Sequence, residues 1–270
     1  MKRALQTIIL ILIASKLLSQ NSYESAYKND AGISDLNGEP VSKESLYFPI
    51  VEAKYVRHYL DNNGKPKWFD DAYQDLFVAE FGKNMVKDSL FFHYIDPISQ
   101  RIFSKYLFEF DEPVLYNFYL NRDIIRFTFI PAFDNPVVIK LENLNDSTLL
   151  TMKVLDYRIN NTVIQRAFYE DPSVIASCDN PATWVVNQQS FMDYPALDSL
   201  HMLINDLKIK SEVPFYNTVV GEDGSDWIIE IHSETGYYYN ERWSPPENSS
   251  IRIIAEYLIK LSKLEEYIKY

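Results

Sequence analysis

The hydrophobic period switches from about 3.6 residues before position 120 to about 2 from Asp123. Between Trp68 and Phe81, Phe69, Ala72, Tyr73, Leu76 and Phe77 recur at helical spacing, with Asp70, Asp71 and Asp75 elsewhere on the wheel. This predicts an amphipathic helix over 68–81 whose acids suit its positive N-terminal end. A second helix is predicted after Pro97, where Ile98, Ile102, Tyr106 and Phe110 recur every four residues, Phe103 and Leu107 widen the stripe, and Glu112-Pro113 stops it. From Asp123 the alternation takes over. Ile125, Phe127 and Phe129 alternate with Arg126 and Thr128, Pro131 to Pro136 turns the chain, and Val137 to Leu141 returns. A turn at Asn143 to Ser147 leads to a third strand over Leu149 to Leu155, and Asn160-Asn161 is read as a tight connection to a fourth over Thr162 to Tyr169. The alternating polar positions predict a meander with one buried and one wet face.

After a loop holding Pro172 and Pro181, residues 195–207 place Leu197, Leu200, Leu203, Ile204 and Leu207 on one helical face, with Asp198, His201 and Asn205 elsewhere. A terminal hairpin is predicted from Trp227–His232 through Ser233–Gly236 to Tyr237–Trp243, ended by Ser244-Pro245-Pro246. The last helix carries Ile251, Ile254, Ala255, Leu258 and Leu261 opposite an Arg252-Glu256-Lys260 ladder, with Asn248 or Ser249 to cap it. It is expected to pack across the buried face of the sheet. The fold class is α+β: an antiparallel sheet of about six strands, a meander plus the hairpin, packed against helices and preceded by a helical part.

The N-terminus adds a compartment. Lys2 and Arg3 precede the apolar run Ile8 to Ala14, which is too short to span a bilayer, and Ser19 offers a small residue for cleavage. Residues 1–19 are therefore read as a secretory signal, with an uncleaved inner-membrane anchor as the alternative because Lys16 sits in the cleavage region. In that case the polar segment that follows is a spacer. Residues 20–45 are read as a flexible leader and 46–270 as one domain, helical over 46–120 and sheet with two helices over 121–270. The expected location is the periplasm, the cell surface or the medium. No membrane insertion is expected after cleavage.

Removing Lys2, Arg3 and Lys16 leaves 23 Lys and Arg against 38 acids, a mature net charge of −15, which disfavours nucleic acid as a partner. The single Cys178 rules out an intramolecular disulfide, so stability rests on packing. Four histidines, His58, His93, His201 and His232, lie far apart, and the spacings of zinc hydrolases, redox dithiols, serine esterases and phosphate loops are all missing. Gly221 to Asp226 carries three acids in the wrong order for a calcium loop and is read as a solvated turn. No catalytic residue, metal ligand or cofactor is assigned. Asn145, Asn160 and Asn248 head glycosylation sequons that matter only in a eukaryotic secretory pathway.

The compositional oddity is aromatic, 20 Tyr, 16 Phe and 4 Trp beside 7 Gly. The terminal hairpin concentrates Trp227, Glu230, Tyr237, Tyr238, Tyr239, Arg242 and Trp243, flat faces for stacking with one cation and one anion for orientation. It suits a ligand platform, with Trp227, Glu230, Tyr237, Tyr239, Arg242 and Trp243 as the binding residues, and equally a structural pair. A three-residue loop makes Glu230 and Arg242 diagonal neighbours able to form an ion pair, and a four-residue loop puts them on opposite faces.

The run Asp223-Gly224-Ser225-Asp226-Trp227, with Glu230, Tyr237 to Tyr239, Arg242-Trp243-Ser244-Pro245 and the helix around Tyr257 to Leu261, resembles a group of uncharacterised exported bacterial proteins. Glu112 to Tyr116 and Arg126 to Lys140 are similar to that group too. The resemblance implies export and brings no activity, cofactor or catalytic residue. The functional expectation is a non-enzymatic exported module binding a protein or an envelope glycan. The alternative is a hydrolase of envelope polymers acting through carboxylates that no local motif marks.

Overall fold

The computed structural model describes residues 27–49, 90–144, 147–169, 171–178, 181–192, 194–211 and 224–268. The predicted signal and the helix predicted over 68–81 lie outside them. In chain order the elements are α1 (Leu90–Glu109), β1 (Ile124–Pro131), β2 (Val137–Asn143), β3 (Thr148–Asp156), α2 (Asn161–Tyr169), β4 (Thr183–Met192), α3 (Tyr194–Asp206), β5 (Ser225–Ser233), β6 (Gly236–Trp243) and α4 (Ser250–Ser262). All six strands form one antiparallel sheet in the order β4-β3-β2-β1-β5-β6. The α+β class and the meander-plus-hairpin topology are as the periodicity predicts.

The membership of the meander differs. Thr162 to Tyr169 is helical, and the fourth strand is β4. Asn160 does not turn a hairpin but caps α2, its Oδ1 accepting from the Thr162 N–H at 2.8 Å and its carbonyl from Val163 and Ile164. Thr162, Val163 and Ile164 have the β-branched composition of a strand, and local capping overrides it. β4 evades the periodicity argument because only Val186 of its ten residues is buried. α1 begins before Pro97 rather than at it, so the proline lies inside the helix.

Both faces of the sheet are covered, so the wet face expected from the alternation is absent over its centre. On one face Ile125, Phe127, Phe129, Ile139, Leu141, Met152 and Ile229 meet Leu200 and Ile204 of α3 and Ile251, Ile254 and Leu258 of α4. The terminal helix thus packs across the sheet as predicted, its Arg252 paired with Glu256 at 3.0 Å. Its N-cap is Ser249, whose hydroxyl turns to the Pro246 carbonyl at 2.7 Å instead of capping a helical N–H.

The opposite face lies under α1, the 110–120 loop and residues 27–49. The expectation of a flexible leader to residue 45 is corrected here, because from Tyr27 onward the segment is a strap hydrogen-bonded across the domain. Asn29 N–H donates to the Asn117 carbonyl at 2.8 Å, Asn117 Nδ2 donates to Ser34 Oγ at 2.8 Å, and Val114 N–H donates to the Gly38 carbonyl at 2.8 Å. Gly38 sits at φ +87°, where a Cβ would also lie 2.8 Å from Pro113. Tyr47 and Phe48 then bury themselves, Phe48 with its ring 5.0 Å from Tyr239 on β6. Backbone pairing with a distant loop holds a polar segment that has no hydrophobic period of its own.

Candidate functional site

The strap face is where the alternating polar residues converge. Arg126 of β1 and Glu230 of β5 stand opposite each other in register and are joined by two parallel bonds, Nε to Oε2 at 2.6 Å and Nη2 to Oε1 at 2.8 Å. Tyr237 donates its hydroxyl to Glu230 Oε1 at 2.9 Å. Glu112, just past α1, reaches the same cluster with Oε1 2.7 Å from Lys153 Nζ and Oε2 3.1 Å from Lys140 Nζ and 3.5 Å from Arg126 Nη1. Lys153 also donates to the Phe110 carbonyl at 2.7 Å. Burial opposes the charge on Glu112, but Lys140, Lys153 and Arg126 outweigh it and hold its carboxyl at about 2. Arg126, Glu230 and Glu112 are fully buried, so this cluster clamps the helical part to the sheet and offers no ligand an approach.

The predicted platform residues are divided between the two faces of the sheet. The hairpin loop has two residues, Glu234 and Thr235, so Glu230 stands opposite Tyr239 and Arg242 opposite Trp227. Glu230 and Arg242 therefore point to opposite faces, as the four-residue alternative placed them, since the observed turn adds only the Ser233–Gly236 pair to that register, and Glu230 pairs with Arg126. Trp227 is 1% exposed, its Nε1 donating to Ser225 Oγ at 2.8 Å, its ring 5.5 Å from Phe127 and 5.6 Å from Phe129, with the Arg252 guanidinium 5.6 Å above it. Tyr237 and Tyr239 are fully buried, and Tyr239 donates to Glu241 Oε2 at 2.8 Å. Arg242 is half-buried and donates to the Glu241 carbonyl at 2.6 Å. Trp243, half-buried, lies on Gly224, where a Cβ would come within 2.6 Å of the indole. The hairpin divides these side chains between the two faces of the sheet, as core and half-buried packing rather than as one platform.

Among the described residues two other polar groupings stand out. His232 accepts the Leu120 N–H at Nε2 over 3.1 Å, which assigns the proton to Nδ1, 2.7 Å from the Leu115 carbonyl. Burial pulls its pKa down to about 4, so the imidazole is neutral. Tyr27 stacks edge-on to it and donates to the Ser233 carbonyl at 2.5 Å, pinning the strap to the hairpin turn. On the α3 side, Asp123, His201, Asn205 and Lys210 line a pocket of about 60 Å³. It has room for about two waters. Among the described residues no group of three or more His, Cys, Asp or Glu could hold a metal ion, and Cys178 is buried.

What the sequence reading missed is β4. Its outer edge is unpaired in the sheet order, and Trp184 (44% exposed), Val185 and Phe191 (73% exposed) are among the large apolar side chains left at the surface. Its ten residues include no charged side chain and no proline. That uncharged run, bounded by Pro181 and Asp193, was the available signal. The other edge, β6, is buried along most of its length. No helix among the described residues is long and apolar enough to cross a membrane. Comparison with protein-family models, curated proteins and solved structures finds no match to this chain.

Proposed function

We propose that this protein is an exported, non-enzymatic interaction module that binds a protein partner by adding an extended strand to the open edge of β4. The observation that carries the reading is the contrast between the two ends of the sheet. β6 is buried along most of its length, while among the described residues no strand pairs with the outer edge of β4, which carries no charge and no proline to blunt it and one bulge at Val185. Burial of Trp227, Tyr237 and Tyr239 removes the hairpin platform on which a glycan ligand was expected to stack. The small α3 pocket, with Asp123 as its one lining carboxylate, lends no support to the alternative of a polymer hydrolase. Export is supported by the basic-then-apolar N-terminus and by the resemblance to exported bacterial proteins.

The test is a photo-crosslinker placed at Gln189 in producing cells, with Glu247 on the far loop as control. A discrete protein adduct at Gln189 alone is expected. Adducts only from Glu247, or from the α3 pocket at His201, would refute the edge reading. N-terminal sequencing of the processed protein should begin at Gln20.

A further inference from the structure

The open edge of β4 is self-complementary. Trp184 is registered with Leu155 and Phe191 with Leu149, six residues apart on β3, so both rings project from the same sheet face near opposite ends of the strand. Between them lie Asn187, Gln188 and Gln189, whose side-chain amides each donate and accept. A strand with amides at its centre and one aromatic toward each end matches itself when reversed. An antiparallel copy related by a two-fold axis normal to the sheet keeps both faces continuous and brings the Trp184 end of each strand to the Phe191 end of the other.

Charge selects the same occupant. The chain carries a net charge of −12, so two copies repel over most of their surfaces, yet Thr183–Met192 has no carboxylate to oppose its own image. A partner recognised by this acidic module through charge would be met by acids along the seam, and β4 has none. A bulge leaves Val185 unpaired, and the regular stretch Val186–Met192 spans about 23 Å, enough for a short ladder centred on Gln188.

We infer that β4 pairs with β4 of a second copy, joining the two six-stranded sheets into one continuous twelve-stranded sheet. This rests on the proposed role of β4 as the binding edge and names its partner. The purified protein is followed by sedimentation over a roughly hundredfold concentration range, wide enough to cross a micromolar Kd. Amide exchange of Thr183–Met192 is measured at both ends of that range. Expected are one chain mass on dilution and two at high concentration, with β4 amides gaining protection as mass doubles. Gln188→Lys, at an exposed mid-strand position, should hold the protein at one chain mass, and Asp198→Lys on α3 should leave the dimer intact. A dimer indifferent to Gln188→Lys would place the seam elsewhere and overturn the inference. One chain mass throughout, with fast-exchanging amides on β4, would overturn self-pairing and leave the edge open to another protein. One chain mass with β4 fully protected would overturn both, since the edge would then be covered by its own chain.

Discussion

Replacing Glu112 by glutamine keeps the shape of the side chain and removes one charge from the centre of the ion cluster. Its carboxylate lies within 3.5 Å of Lys153, Lys140 and Arg126 and is fully buried. Burial alone would raise its pKa, but the three cations hold it at about 2, against about 4.3 in the unfolded chain. That difference of about 2.3 corresponds to about 3 kcal/mol at 1.36 kcal/mol per pKa unit. Because the folded value is depressed, the stabilisation is fully present above about pH 4.3 and is lost as pH falls toward 2. Glu112→Gln should therefore cost about 3 kcal/mol at pH 7, leaving Arg126 with Glu230, Lys140 with Glu142 and Lys153 with the Phe110 and Asp111 carbonyls. For an unfolding slope of about 2–3 kcal/mol per molar urea the midpoint falls by about 1–1.5 M, and the thermal midpoint by about 6–12 °C. The deficit should shrink below pH 4 and close near pH 2. A variant whose urea midpoint at pH 7 lies within about 0.3 M of the parent, at unchanged slope, would refute the reasoning. It would mean that desolvating four charges cancels their attraction, as happens in some buried ion pairs.

Other residues give sharper signs than sizes. His232 is neutral in the fold with a pKa of about 4, so stability should decline by about 3 kcal/mol as pH drops from 6.5 to 4, and His232→Gln should flatten that part of a urea-midpoint profile. Asp226 is pushed well above the usual carboxylate range by burial and then by Glu241, so its charge is a cost at neutral pH. Asp226→Asn should raise stability at pH 7 by on the order of 1 kcal/mol, with the gain gone near pH 3 in the same urea series. Gly224→Ala drives a Cβ to within 2.6 Å of Trp243, and calorimetry should show a loss of about 1–3 kcal/mol.

The sheet was legible wherever one apolar face alternates with polar residues, as in Ile125, Phe127 and Phe129, and the last helix wherever its stripe was complete. What alternation does not specify is the fate of the polar positions. Arg126, Lys140 and Lys153 have the same pattern whether they face water or a buried counter-ion. The deciding partners are remote, Glu112 fourteen residues before Arg126 and Glu230 one hundred and four after it. The strap was illegible for a related reason, since its anchors are backbone bonds to the 114–117 loop and isolated side chains such as Tyr47 and Phe48. α2 failed on Asn160, which is equally suited to a hairpin and a helix cap. The hairpin register was one of two left open, and the two-residue loop keeps the parity of the four-residue reading, with His232 opposite Tyr237, which excludes a Glu230–Arg242 pair.

The aromatic excess finds its explanation in the second face of the sheet. A sheet with one wet face needs one core, whereas this one needs two, and the strap side must be filled while also accommodating an ion cluster. Tyrosine meets both demands, burying a ring and ending in a hydroxyl that reaches the carboxylates and carbonyls found there. Tyr237 reaches Glu230, Tyr239 reaches Glu241, Tyr27 reaches the Ser233 carbonyl, and on the other face Tyr238 reaches the Ile209 carbonyl. Aromatic density in the hairpin is therefore a consequence of covering β6 and β5 with a polar strap, and it marks the closed end of the sheet. The proposed binding edge lies at the opposite end, in a strand distinguished less by what it contains than by the charge it lacks.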